Sequence, residues 1–180
     1  MYRFLVIVLF LISAVSFGWA MHKYASSGEE VISKPLKGLY GNEILPSLTL
    51  DMSPVRVFLE VKSEINVQDV SNPAYAYEID IIDPVGRRVG GEARTQTEKK
   101  EDTGSSFEKN TLNHVIDTFE ITESGQFVMN WKLMPKRAKI ISIGYSLRKN
   151  VEGMNIPLMI FAGGCFVLGW IVLFFGRRSS

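Results

Sequence analysis

Two long runs without a charged residue bracket this chain, and they constrain it more than anything between them. Phe4 to Met21 reads FLVIVLFLISAVSFGWAM, and Asn155 to Phe175 reads NIPLMIFAGGCFVLGWIVLFF. A helix of about 20 residues rises roughly 30 Å, the thickness of a bilayer's hydrocarbon core, so both runs suit a membrane span. The second is followed by Gly176-Arg177-Arg178-Ser179-Ser180. Arginines directly beyond a span mark its cytoplasmic side, so Arg177 and Arg178, together with Arg3 before the first run, place both termini in the cytoplasm. The middle of the chain is then expected on the far side of the membrane. Small residues at Gly18 and Ala20 also fit a signal-peptidase site, and cleavage there would leave the middle on the same side. The length of the run, with Trp19 and Tyr24 suited to an interfacial belt, favours a retained span.

This reading divides the chain into an N-terminal transmembrane helix or signal anchor over 1–24, a linker over 25–45 and a β domain over 46–150. A C-terminal transmembrane helix over 154–176 and a basic tail over 177–180 complete it. Of the 20 basic residues, three lie at the ends, whereas all 19 acids lie between the spans, so the middle carries a net charge of about −2. Such a mixed surface has no basic stripe, which excludes nucleic acid as a partner. The sole cysteine, Cys165, sits inside the second span, so the outer domain is expected to stand on its core without a disulfide or a cysteine-bound zinc. Asn-x-Ser/Thr acceptors do not occur in the sequence, which favours a bacterial inner membrane with a periplasmic domain over a glycosylating lumen.

Between the spans the dominant period is two. Val55, Val57, Leu59 and Val61 alternate with more polar neighbours, as do Tyr75, Tyr77, Ile79 and Ile81, then Phe127, Met129, Trp131 and Leu133, then Ile141, Ile143, Tyr145 and Leu147. Side chains on a strand point to opposite faces in turn, so each pattern predicts a strand with one buried face. Leu48, Leu50 and Met52 predict a shorter strand. Asp83-Pro84-Val85-Gly86 predicts a hairpin turn, because proline pre-sets φ at its second position. Gly90-Gly91 is expected to end or bulge the following strand. Residues 95–110, TQTEKKEDTGSSFEKN, predict a solvated loop, and residues 115–122 a further strand that turns at Glu123-Ser124-Gly125. Seven to eight short strands with turns between them predict an all-β, antiparallel sandwich flanked by two transmembrane helices.

The stretches YEIDIIDPVGRRV and HVIDTFEITESGQFVMNWKL, separated by a variable loop, resemble the Golgi-dynamics (GOLD) β-sandwich. That domain occurs in small cargo receptors of the early secretory pathway and in loosely related prokaryotic membrane proteins. The resemblance covers about residues 45–148, and the order of domain, C-terminal span and short basic tail also fits. It implies a β-sandwich with a role in protein interaction. This chain lacks the receptors' sandwich disulfide, their coiled-coil stretch and their longer coat-recruiting tail, so cargo sorting does not carry over.

Residues suited to chemistry are few. His22 falls at a membrane edge, and His114 reads as a polar surface residue. Glu78 and Asp80 share one outward face and read as a solvated pair. No metal-ligand spacing, nucleophile elbow or phosphate loop occurs, so no catalytic, cofactor-binding or metal residue is expected. The spans offer more. Ala162, Gly169 and Gly176 recur every seven residues with Cys165 on a similar face, and Ala14 and Gly18 form a small-xxx-small pair. Small residues let helix backbones approach closely in lipid, so these faces are expected to pack against each other or against a partner's helices. The expected function is a non-catalytic accessory or assembly subunit of an integral membrane complex. The alternative is a tethered receptor for a protein, lipid or glycan, for which Phe58, on the otherwise polar face of its strand, is the candidate exposed contact.

Overall fold

The computed structural model describes residues 2–66, 73–97 and 107–176. The chain divides into two compact units: residues 1–27 with 152–180, and residues 28–151.

The first unit is a helix pair, α1 (Tyr2–Ser26) and α2 (Ile156–Gly176), both long and apolar enough to cross a membrane. Asn155 caps α2, its Oδ1 accepting the Leu158 N–H at 3.1 Å. At the other helix's end the Ser26 and Ser27 hydroxyls donate to the carbonyls of His22 and Tyr24 at 2.7 and 2.9 Å, satisfying groups that the last turn leaves open. Packing follows a seven-residue period. Val6, Ser13 and Ala20 are buried on α1, and Ala162, Cys165 and Gly169 on α2. At Gly169 the Phe10 ring packs onto the bare backbone of α2: a Cβ there would lie 3.2 Å from that ring.

Among its described residues the second unit holds eight strands. They are β1 (Glu29–Leu36), β2 (Tyr40–Leu48), β3 (Val55–Asn66), β4 (Tyr75–Ile82), β5 (Arg88–Gln96), β6 (Phe107–Phe119), β7 (Gly125–Pro135) and β8 (Ala138–Lys149). All pairings are antiparallel, in two sheets ordered β1-β8-β3-β6 and β2-β7-β4-β5. Three of the four alternating runs behave as expected: Val55, Val57, Leu59 and Val61 from one sheet share a core with Tyr77, Ile79, Ile81, Phe127, Met129 and Trp131 from the other. In the fourth, Ile143, Tyr145 and Leu147 are buried, but Ile141 is exposed, because the β3–β8 register shifts where Lys62 faces Ser142 and Ser63 faces Ile140. The β4–β5 hairpin closes on Asp83, whose Oδ1 accepts the Val85 and Arg87 N–H groups at 3.0 and 2.7 Å while Gly86 supplies a positive φ of 87°. Burial works against the Asp83 carboxylate, but the backbone and guanidinium of Arg87 outweigh it and hold the group below the usual carboxylate range.

Three expectations are corrected. Residues 25–45 are not a linker: α1 continues to Ser26, and the rest supplies β1 and most of β2. Both are edge strands, paired on one side only, and they bury just Leu36, Leu45 and Leu48, which is too few to print an alternation. Leu48 ends β2, while Leu50–Met52 form a 3-10 turn rather than continuing a strand. The polar run 95–110 is strand at both ends, since β5 reaches Gln96 and β6 starts at Phe107; residues 98–106 lie outside the described residues. Gly90 and Gly91 do not end the strand: both stay paired, with φ of 143° at Gly91, and the register shifts at the adjacent Val89, between Ile81 and Ile82 of the partner strand.

Candidate functional site

The inward face of β6 carries Leu112, His114 and Ile116 in alternation, and His114 lies opposite Leu59 of β3. This puts the imidazole in the interior at 8% exposure, correcting the expectation of a surface residue. The facing sheet meets it with two tyrosines. The Tyr75 hydroxyl and His114 Nε2 are 2.7 Å apart, and the Tyr77 ring lies 4.9 Å from the imidazole, centroid to centroid. Tyr77 in turn donates its hydroxyl to Glu92 Oε2 at 2.6 Å, and Arg94 sits 3.8 Å from the other Glu92 oxygen. Tyr75 and Tyr77 stand opposite Gln96 and Arg94 in the β4–β5 ladder, and Glu92 stands opposite Ile79. Directly opposed residues share a sheet face, so Glu92, Arg94 and Gln96 lie on the same face of β5 as the two tyrosines on β4, with the Arg94 side chain 56% exposed at the sheet's edge.

Environment tunes these groups in opposite directions. Burial and the Arg94 charge hold the His114 imidazole below its ordinary value, against a weaker pull from Glu92. Burial and the hydrogen bond to Glu92 push the Tyr77 phenol well above its own. At neutral pH the cluster therefore contains a neutral histidine and the neutral phenol of Tyr77 beside one ion pair. A second link lies close by along the same edges: the Gly91 N–H of β5 donates to Asp117 Oδ2 of β6 at 3.1 Å. The arrangement joins two sheets through polar groups. Among the described residues no three His, Cys, Asp or Glu side chains gather closely enough to hold a metal.

The other residues singled out in the sequence fall elsewhere. Phe58 is half-buried, not exposed, and the Arg148 guanidinium lies 5.5 Å from its ring centroid, which removes it as an open contact. Arg148 stands across from Arg56, which is 1% exposed and donates from Nε to Thr118 Oγ1 at 3.0 Å. Asp80 pairs with Arg88 at 2.7 Å, while Glu78 is exposed. Ala162, Cys165 and Gly169 do line the seam between the helices, and Gly176 is half-buried at the end of α2. Ala14 and Gly18 are on the exposed side of α1, with nothing within 4 Å of a Cβ built at Gly18. Arg177 and Arg178 lie outside the described residues, as does the side chain of Arg3.

No family model and no curated protein matches the chain. Among solved structures it is similar to infectious bursal disease virus Gx strain, at 13% identity and a TM-score of 0.32 over 75% of this chain. It is also similar to the infectious bursal disease virus VP2 subviral particle, at 14% identity and a TM-score of 0.28. The chain spans about a third of the length of either, 32% and 33%. Scores this low carry no argument about what this chain does.

Proposed function

We propose that this protein is a non-catalytic accessory or assembly subunit of a larger integral membrane complex. Its helices lie in a bacterial inner membrane, with both termini cytoplasmic and a GOLD-like β-sandwich on the periplasmic side. The observation that carries this reading is the division of labour between the small residues. Ala162, Cys165 and Gly169 are consumed by packing within the helix pair, while Ala14 and Gly18 stay on the exposed side of α1. In lipid a lone helix gains nothing from a small-residue face, whereas a neighbouring helix that packs against it gains close contact. Purification in mild detergent followed by mass spectrometry tests the reading directly. A stoichiometric integral membrane partner is expected, and Gly18→Leu is expected to reduce its recovery without unfolding the chain. A monodisperse lone protein overturns it.

The receptor reading is kept alive by one feature. With Phe58 half-buried, Tyr40 on β2 is an exposed strand aromatic among the described residues, at 79%, two positions from Asn42 and four from the exposed Ile44. Loss of a captured protein, lipid or glycan on Tyr40→Ala, with the membrane partner absent, is the result that favours it.

A further inference from the structure

We propose that the junction of β5 and β6 is an acid-sensitive clasp, in which His114 holds the two sheets together while neutral and loosens them when protonated. The geometry is that of a fastening. β6 is the edge of one sheet and β5 the edge of the other, so the ladders do not join them. Polar contacts cross this junction: Tyr75 of β4, the strand beside β5, meets His114 of β6 at 2.7 Å, and the Gly91 N–H of β5 donates to Asp117 of β6 at 3.1 Å.

Protonation changes the balance in a calculable direction. A neutral imidazole has one donor and one acceptor, and the imidazolium has two donors and a charge to bury. The groups around it do not welcome that charge. From β4 come Tyr75, whose hydroxyl meets the ring nitrogen, and Tyr77, whose hydroxyl is neutral at pH 7 and already committed to Glu92. From β5 come Glu92, which attracts the charge, and Arg94, which repels it more strongly. From β3 comes apolar Leu59 in the opposing position, and along β6 itself lie Leu112 and Ile116, with Asp117 occupied by the Gly91 amide. An open clasp lets the ring meet water and take its proton at an ordinary pKa of about 6.5. Acid therefore favours opening, by up to about tenfold in the opening constant per pH unit below that value.

The reporter is the Gly91 amide, because it donates across the junction. Hydrogen exchange of the full-length protein in nanodiscs, at low salt and corrected for the intrinsic pH dependence of exchange, reads the opening between about pH 7.5 and 5.5, above the ordinary carboxylate range. Wild type is expected to lose Gly91 protection as pH falls, and His114→Gln is expected to give a flat profile. Should that variant fold poorly, two others keep both the histidine and its tyrosine. Arg94→Gln removes the repelling charge and is expected to shallow the profile; Glu92→Gln removes the attracting charge, keeps an acceptor for Tyr77, and is expected to steepen it. A merely structural role for the cluster moves neither slope. A flat wild-type profile, or identical slopes in the two charge variants, overturns the proposal.

Discussion

The two flanks of the β domain are closed in different ways. Where β5 meets β6, the closure is polar: the Tyr75 hydroxyl meets His114, whose ring lies against that of Tyr77, and Tyr77 donates to Glu92. Where β1 and β2 form the other pair of edges, the closure is apolar. The Trp131 indole lies against Gly41, its partner across the β2–β7 ladder, so closely that a Cβ there would come within 2.8 Å of its ring carbons, and Leu36 of β1 and Leu45 of β2 are buried in the same core. The polar contribution on this flank is an ion pair between Lys34 and Glu43 at 4.0 Å, with both side chains partly in water. Apolar burial is non-directional and indifferent to pH, whereas a hydrogen-bonded histidine is directional and titratable. One flank is therefore expected to depend on volume and the other on protonation.

The largest break in that comparison is expected from Trp131→Ala, which empties the apolar flank. Removing a buried indole costs about 3–5 kcal/mol, read as a drop in denaturant midpoint at constant slope. Trp131→Phe is expected to cost far less, because the indole N–H is buried with no hydrogen-bond partner among the described residues and its removal relieves an unsatisfied donor. On the polar flank, Tyr75→Phe keeps the ring and deletes the hydroxyl. It strands the buried His114 nitrogen, at about 1–3 kcal/mol in the same measurement.

A smaller effect separates the flanks by sign rather than size. The folded-state pKa of His114 lies below its unfolded value, so its contribution to stability is complete above about pH 6.5. As pH falls below that, the unfolded chain binds the proton first, and stability declines until the folded-state pKa is passed. Urea midpoints measured across this range are expected to fall in wild type and in Trp131→Phe, and to stay level in His114→Gln. An equal decline in all three would assign the pH dependence to other groups.

Legibility in the sequence followed the same division. Phe127, Met129, Trp131 and Leu133 were readable as core because their strand, β7, is interior to its sheet and every second residue must meet apolar neighbours. The β1 and β2 edges were not, because an edge strand is held by one ladder and needs few buried side chains. His114 was hidden for a different reason: a polar residue at an inward position looks like surface until its partner is known, and that partner comes from another sheet. Extending the alternation back from Ile116 through His114 to Leu112 is the signal that places it inside. In the helix pair, the seven-residue spacing of Ala162 and Gly169 marked the seam, while Ala14 and Gly18 carried the same small-residue signature on the opposite, exposed side. Composition identifies a close-approach face, and only packing says which neighbour it has.

The smallest expected effect sharpens the comparison from the apolar side. Lys34 and Glu43 are the nearest counterpart of the buried clasp, since they too join one sheet's edge to the other's. If bridging two sheets were enough to matter, Lys34→Met would be costly. Coulomb attraction between partly hydrated groups is weak, ordering two long side chains consumes much of it, and salt screens the rest. Lys34→Met is therefore expected to change stability by less than about 1 kcal/mol, and by still less at high ionic strength. Glu43 also lies near the buried Tyr145 hydroxyl, whose phenol is pushed up first by burial and then by that carboxylate. Deleting the lysine leaves both the burial and the carboxylate in place, so the variant isolates the ion pair. A loss as large as that of Tyr75→Phe would mean that position between the sheets, rather than burial of the polar link, sets what a bridge contributes.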